Sequence, residues 1–144
     1  MAKFLKLNGT SAVYGLLFTI LTERMLNIYR LARLMEIEVG KMGTIIDWSS
    51  LLILAVASFF MYWLTKLQLG SGGVMLLTSI LWLPYAAGFI YVFAALFPIT
   101  DRGEFPSPAA GLVIIGAIIL YPFYILLINA MAFTLGSGKQ DKSF

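Results

Sequence analysis

Residues 74–97 and 109–135 contain no charged side chain. Crossing the hydrocarbon of a bilayer takes about 20 mainly apolar residues as a helix, so each run is long enough to span. A third run, WSSLLILAVASFFMYWL at residues 48–64, is bounded by Asp47 and Lys66. In lipid no water satisfies backbone N–H and C=O groups, which leaves helices and closed barrels as the only spanning structures. The runs are continuous and do not alternate, which points to helices and away from barrel strands. Composition agrees: the chain is 60% hydrophobic and 12% charged, with mean hydropathy +0.92. Soluble domains carry about 45–50% apolar and about 25% charged residues. This chain has too little polar surface to cover itself in water. Lipid is therefore part of its solvent, and bound lipid is expected.

These runs predict an all-α integral membrane protein: a single domain over residues 1–144, folded as a four-transmembrane-helix bundle with short loops. The expected spans are about residues 11–33, 48–65, 74–97 and 109–135. Residues 35–47 can continue as helix at the membrane surface, and GSGG (residues 70–73) reads as a tight turn between spans. No small-x-small cleavage site follows the first apolar run, so that run is read as an uncleaved anchor. Asn8-Gly9-Thr10 matches a glycosylation sequon. Thr10 or Ser11 also suits a helix N-cap, which is the preferred reading.

Four spans place both termini on one side, with Lys3, Lys6, Lys66, Lys139 and Lys142. The other side carries Arg30, Arg33, Lys41 and Arg102, together with most of the acids. The orientation rule counts Lys and Arg, so the balance leans towards cytoplasmic termini, and the plasma membrane is the expected location. The formal charge of +3 rests on few side chains near helix ends. It reads as a headgroup and topology signal, and no nucleic-acid surface is expected.

The first helix finishes unusually, as TERMLNIYRLARL at residues 22–34. At about 100° per residue, Thr19, Glu23, Asn27, Arg30 and Arg33 share one face, with Arg24 at its edge. If the helix enters at Ser11, Glu23 lies about 18 Å in at 1.5 Å per residue. That depth is still inside a hydrocarbon core of about 30 Å. An ionised group there costs about 2.5–3.5 kcal/mol on insertion scales unless it is paired or hydrated. Asn27 at i+4 and Arg30 at i+7 are its candidate partners. The stripe is read as a packing face or, alternatively, as a relay. The competing reading ends the membrane near Thr22 and lets the arginines snorkel to phosphates. Against it, the apolar stretch from Ser11 to Leu21 is too short to span alone.

Cysteine and histidine are both absent. Zinc sites, thiolate nucleophiles, His-ligated haem and serine–histidine relays all need residues this chain lacks. No cofactor and no metal site are expected, and the chain is not expected to be an enzyme. Pro84 in WLPY and Pro122 in LYPFY each remove a backbone donor inside an uncharged helix, and are read as kinks wedged by aromatics. Ser107/Gly111 and Ala132/Gly136 have the small-xxx-small spacing that lets helices approach closely in lipid. The loop FPITDRGEFPSP (residues 97–108) carries Asp101, Arg102 and Glu104 between prolines, and is read as a partner-docking loop. The function these features predict is an accessory, non-catalytic subunit that positions other integral-membrane subunits by helix packing. The alternative is a small homo-oligomeric transporter or channel using the Glu23/Asn27/Arg30 face.

Overall fold

The computed structural model describes residues 1–68 and 72–137. Its elements are α1 (Ala2–Leu26), α2 (Ile28–Leu34), α3 (Val39–Gln68), α4 (Gly72–Leu96), a 3₁₀ turn (Arg102–Glu104) and α5 (Pro108–Ser137). Among the described residues there is no strand. Four helices, α1, α3, α4 and α5, are long and apolar enough to cross a membrane. The chain is a multi-pass membrane bundle.

α1 is its central helix. In its most apolar stretch 44% of residues are buried, against 11% in α3, 11% in α4 and 17% in α5. α1 packs most extensively on α4, while α5 bridges α4 and α3 on the far side. α1 and α4 run parallel: Asn8 meets Tyr85 in one half, and Arg30 meets the Phe97 carbonyl just beyond the other end.

The first span begins at Ala2, well before the expected entry at Ser11. Leu7 is buried here, while Lys3 and Lys6 stay exposed, so the amphipathic lead-in extends the helix although it is too polar to count as hydrocarbon. Thr10 and Ser11 are consequently not caps. They lie inside the helix and donate back to the carbonyls of Lys6 (2.9 Å) and Leu7 (2.8 Å). Thr19 and Thr22 do the same to Gly15 and Phe18. A hydroxyl that bonds its own helix leaves no orphan polar group against lipid. The link at residues 35–47 is mostly helix, because α3 starts at Val39.

α1 and α4 approach each other closely at Gly15. A Cβ there would lie 2.8 Å from the Ala86 nitrogen and the Tyr85 Cβ, and 2.9 Å from the Trp82 oxygen. Two of those three atoms are backbone, so only glycine lets α1 and α4 meet this closely. Ser11, Gly15 and Thr19 form a small-residue stripe at four-residue spacing, and all three are buried. That stripe is the packing seam. Gly111, by contrast, is exposed and would meet nothing with a Cβ, so the Ser107/Gly111 pair mediates no close contact in this chain. Ala132 is buried, whereas the side-chain environment of position 136 lies outside the description. Of the GSGG turn, Gly70 and Ser71 lie outside the described residues, as do Lys139, Asp141 and Lys142.

Both prolines sit inside unbroken helices, Pro84 in α4 and Pro122 in α5. Their neighbours fill the core. Trp82, Tyr121, Tyr14 and Phe18 pack with Met61, Ala86, Ile125 and Ile128. Ring centroids lie 4.7 Å apart for Trp82–Tyr121 and 4.8 Å for Phe18–Trp82. This edge and tilted geometry suits aromatic quadrupoles.

Candidate functional site

The polar stripe of the first helix is organised by Asn27. Its backbone N–H donates to the Glu23 carbonyl at 2.9 Å, as a helix requires. Its side-chain Nδ2 donates to the same carbonyl at 2.9 Å, and to Glu23 Oε2 at 3.0 Å. A side chain that competes for an i−4 carbonyl bends a helix, and here α1 gives way to α2 at this residue. The ladder resumes at once, with the Leu31 N–H donating to the Asn27 carbonyl. Asn27 is buried, and Glu23 is half-buried.

The arginines turn away from Glu23. Arg24 donates to Ser49 and Ser50 on α3. Arg30 donates from Nε to Glu104 Oε2 at 3.1 Å, and from its other nitrogens to the Phe97 and Pro98 carbonyls at 3.0 and 2.9 Å. Arg33 donates to Glu104 Oε1, with its Nε at 2.7 Å. The i+7 pairing of Arg30 with Glu23 does not form, because Glu104 and two free carbonyls at the end of α4 offer Arg30 better acceptors.

Glu104 is therefore turned inward, and its side chain is only 6% exposed. The Asp101 side chain caps the short 3₁₀ turn by accepting from the Gly103 N–H at 2.8 Å, which aims Glu104 at α2. The Arg33 guanidinium first, and Arg30 after it, hold the Glu104 carboxyl below the ordinary carboxylate range, while burial pushes the other way. Within the expected docking loop, then, Glu104 is engaged inside the chain. Asp101 and Arg102 remain on the exposed surface.

α2 ends in a left-handed cap. Glu36 has φ 54°, the Ile37 N–H donates to the Ala32 carbonyl at 2.9 Å, and the Glu36 N–H reaches the Arg33 carbonyl at 3.3 Å. Ile37 then packs with Ala32, Met42 and Ile46, folding α2 onto α3. This reversal brings Arg30 and Arg33 over the loop.

A groove lies between α1 and α4, and Glu23 is one of the residues that border it. The groove encloses about 460 Å³ and is walled by Leu16, Ile20, Phe89, Val92, Phe93 and Leu96. A second hollow of about 420 Å³ lies under the loop, against Phe97, Pro98, Phe105 and Pro106. Glu23, Asn27 and Phe93 border both. Among the described residues the Glu23 carboxylate has one hydrogen-bond partner, Asn27, and no cation within ion-pair distance.

Sequence reasoning overlooked a second polar set, inside the bundle. The Tyr121 hydroxyl donates to the Tyr14 carbonyl at 2.7 Å, Ser58 and Tyr124 share a hydrogen bond at 2.8 Å, and Asn129 donates to Thr78 at 2.8 Å. These side chains read as apolar or neutral along the chain, so no charge signals them. Among the described residues no three His, Cys, Asp or Glu side chains converge as metal ligands would.

Comparisons with family models, with curated proteins and with solved structures found no match to this chain.

Proposed function

We propose that this chain is a non-catalytic accessory subunit of a larger integral-membrane complex, in which it positions partner subunits by helix packing. One observation supports the reading. Beside the side chains that bond within their own helix, others tie the spans to one another, with one tie at each contact between spans. Asn8–Tyr85 joins α1 to α4, Arg24–Ser49 joins α1 to α3, and Tyr121 joins α5 to α1. Ser58–Tyr124 joins α3 to α5, and Thr78–Asn129 joins α4 to α5. Such bonds contribute about 0.6 kcal/mol each in membrane proteins, so together they make a stiff block. A stiff block with apolar outer faces is suited to holding neighbours in place. Its partners on this reading are lipids and other membrane subunits, with no nucleic acid. The Lys and Arg balance supports cytoplasmic termini, and the plasma membrane is the location this reading takes.

The test is extraction into lipid nanodiscs directly from membranes, followed by native mass determination. A heteromeric particle is expected. A stable homo-oligomer would replace this reading with the second one, a small transporter, which the meeting of two hollows at Glu23 favours. In that reading the working pair is Glu23 and Asn27, because Arg30 is held by Glu104.

A further inference from the structure

We propose that the bundle is a two-armed clamp. Its arms are the α1–α3 and α4–α5 hairpins, joined firmly in the half nearest the termini, and the Arg30/Arg33–Glu104 clasp is the latch that holds their other ends together. With the latch shut the bundle is one stiff block; with it open the hairpins pivot apart on the loop side. This holds under either reading of the chain's function.

Each arm is tied within itself. Arg24 joins α1 to α3 through Ser49 and Ser50, Ala32 packs with Met42 and Ile46 to hold α2 on α3, and Asn129 joins α5 to α4 through Thr78. Between the arms the ties are uneven. Asn8–Tyr85, Tyr121 with the Tyr14 carbonyl, and Ser58–Tyr124 all belong to the half that holds the aromatic core and the Gly15 contact. Tyr14 and Arg30 are separated by about 24 Å of helix at 1.5 Å per residue. Between them, among the described residues, α1 bonds only to itself and to α3. α3 likewise makes no hydrogen bond to α5 before Ser58.

On the loop side, space takes the place of ties. Hollows of about 460 and 420 Å³ flank the α1–α4 seam. Another of about 420 Å³ lies where α3 faces α5, between Ile46 and Ser50 on one side and Val113 and Ile114 on the other. Atoms that face a void have lost their packing partners, so the seams resist separation weakly there. Beyond the hollows the clasp is the next connection. Arg30 and Arg33 share Glu104, and Arg30 also binds the Phe97 and Pro98 carbonyls. α2 is held on α3, and the loop joins α4 to α5, so one carboxylate couples the two arms. The Arg33 side chain is 61% exposed, so this tie can be broken without unpacking the core. A hinge needs a fixed contact, slack beyond it and a tie that can release. The Gly15 contact, the hollows and Glu104 supply the three.

The test is electron–electron resonance between spin-label pairs on the full chain in lipid nanodiscs, all at exposed positions. Ile20→Cys with Val92→Cys reports the α1–α4 seam on the loop side, and Ile45→Cys with Leu112→Cys reports the α3–α5 seam there. Leu5→Cys with Leu77→Cys reports the far end. In the unaltered chain each pair should give one narrow distance distribution. Glu104→Gln should lengthen and broaden both loop-side pairs. Adding Arg30→Ala, which also frees the Phe97 and Pro98 carbonyls, should widen them further. The Leu5/Leu77 pair should stay unchanged throughout. Loop-side pairs that keep their distances in both variants would show that Glu104 holds a loop and not an arm, and the proposal falls. Equal lengthening at both ends would show general loosening in place of a hinge, and overturns it too. Where Glu104→Gln does not fold, Arg33→Gln, which leaves Arg30 on Glu104, takes its place. If neither folds, the clasp is part of the folded core and is no latch.

Discussion

The seam between α1 and α4 has two halves of opposite character. Around Gly15 the helices touch backbone to backbone, and Trp82, Phe18 and Tyr121 close the space behind them. Around Glu23 the same two helices part and leave a groove. The first half is built from small residues at four-residue spacing facing a large aromatic cluster. The second replaces the small residues with Glu23 and Asn27, and faces them with Phe89 and Phe93. The same helix pair is thus closed at one end and open at the other. The closed half fixes how the two helices meet, and the open half leaves the hollow between them.

The largest effect should come from emptying the closed half. Trp82 is 2% exposed and touches the Phe18 and Tyr121 rings. Trp82→Ala should destabilise the bundle by about 3 kcal/mol, the lower end for large aromatic truncations, because lipid-solvated helices lack much of the hydrophobic transfer contribution. Reversible unfolding in bicelles measures this. A loss comparable to that of a lipid-facing Phe59→Ala control would show that the aromatic cluster does not set the seam.

Next is Gly15→Val. Its side chain meets backbone of α4, which cannot rotate away, so the helices must separate. A cost of about 1–3 kcal/mol is expected, typical of overpacking. The discriminating measurement is a distance between labels on α1 and α4. The chain has no native cysteine, so single-cysteine labels carry no background. The closed half should widen. If it does not, the close approach is not the constraint argued here.

The difference between the halves also marks what the chain makes legible. Uncharged runs report lipid directly, so the four-helix bundle could be read from residues alone, whereas the start of the first span could not. Nor could seam geometry. Ser11, Gly15 and Thr19 carry the small-residue spacing, yet Ser107/Gly111 carries it equally, and only the contact with Trp82 and Ala86 distinguishes them. Helical periodicity placed Glu23, Asn27, Arg30 and Arg33 on one face. The partner that takes the arginines, Glu104, lies about 70 residues away in a loop. No local pattern predicts such a pairing, and local reasoning assigned Arg30 to the nearest acid on its own helix.

At the rim of the open half the expected effects are small, and one reverses sign. Glu36 holds a left-handed conformation that disfavours any side chain with a Cβ, by about 1–2 kcal/mol. Glu36→Gly relieves that and loses part of the gain to chain entropy in the unfolded state. A net stabilisation of about 0.5–1 kcal/mol is expected in the same unfolding assay. Destabilisation would mean that the Glu36 side chain has a role the backbone conformation does not reveal.

The Glu104 clasp tests whether the two halves are independent. Its carboxyl is held below the ordinary glutamate value by Arg33 and Arg30. A depressed carboxyl contributes its stability fully above the unfolded value of about 4.3 and loses it only as pH falls through the lower folded value. The loop should therefore stay docked from neutral pH down through the ordinary glutamate range, and loosen only in stronger acid. Spin labels at Thr100→Cys and Leu34→Cys, both on exposed positions, would report this as a broadened distance. Glu104→Gln should produce the same broadening at neutral pH. Labels across the Gly15 contact should not respond in either case, because no part of the clasp reaches it. If they move together with the loop, the closed half is not an independent mount, and the groove changes shape with its rim.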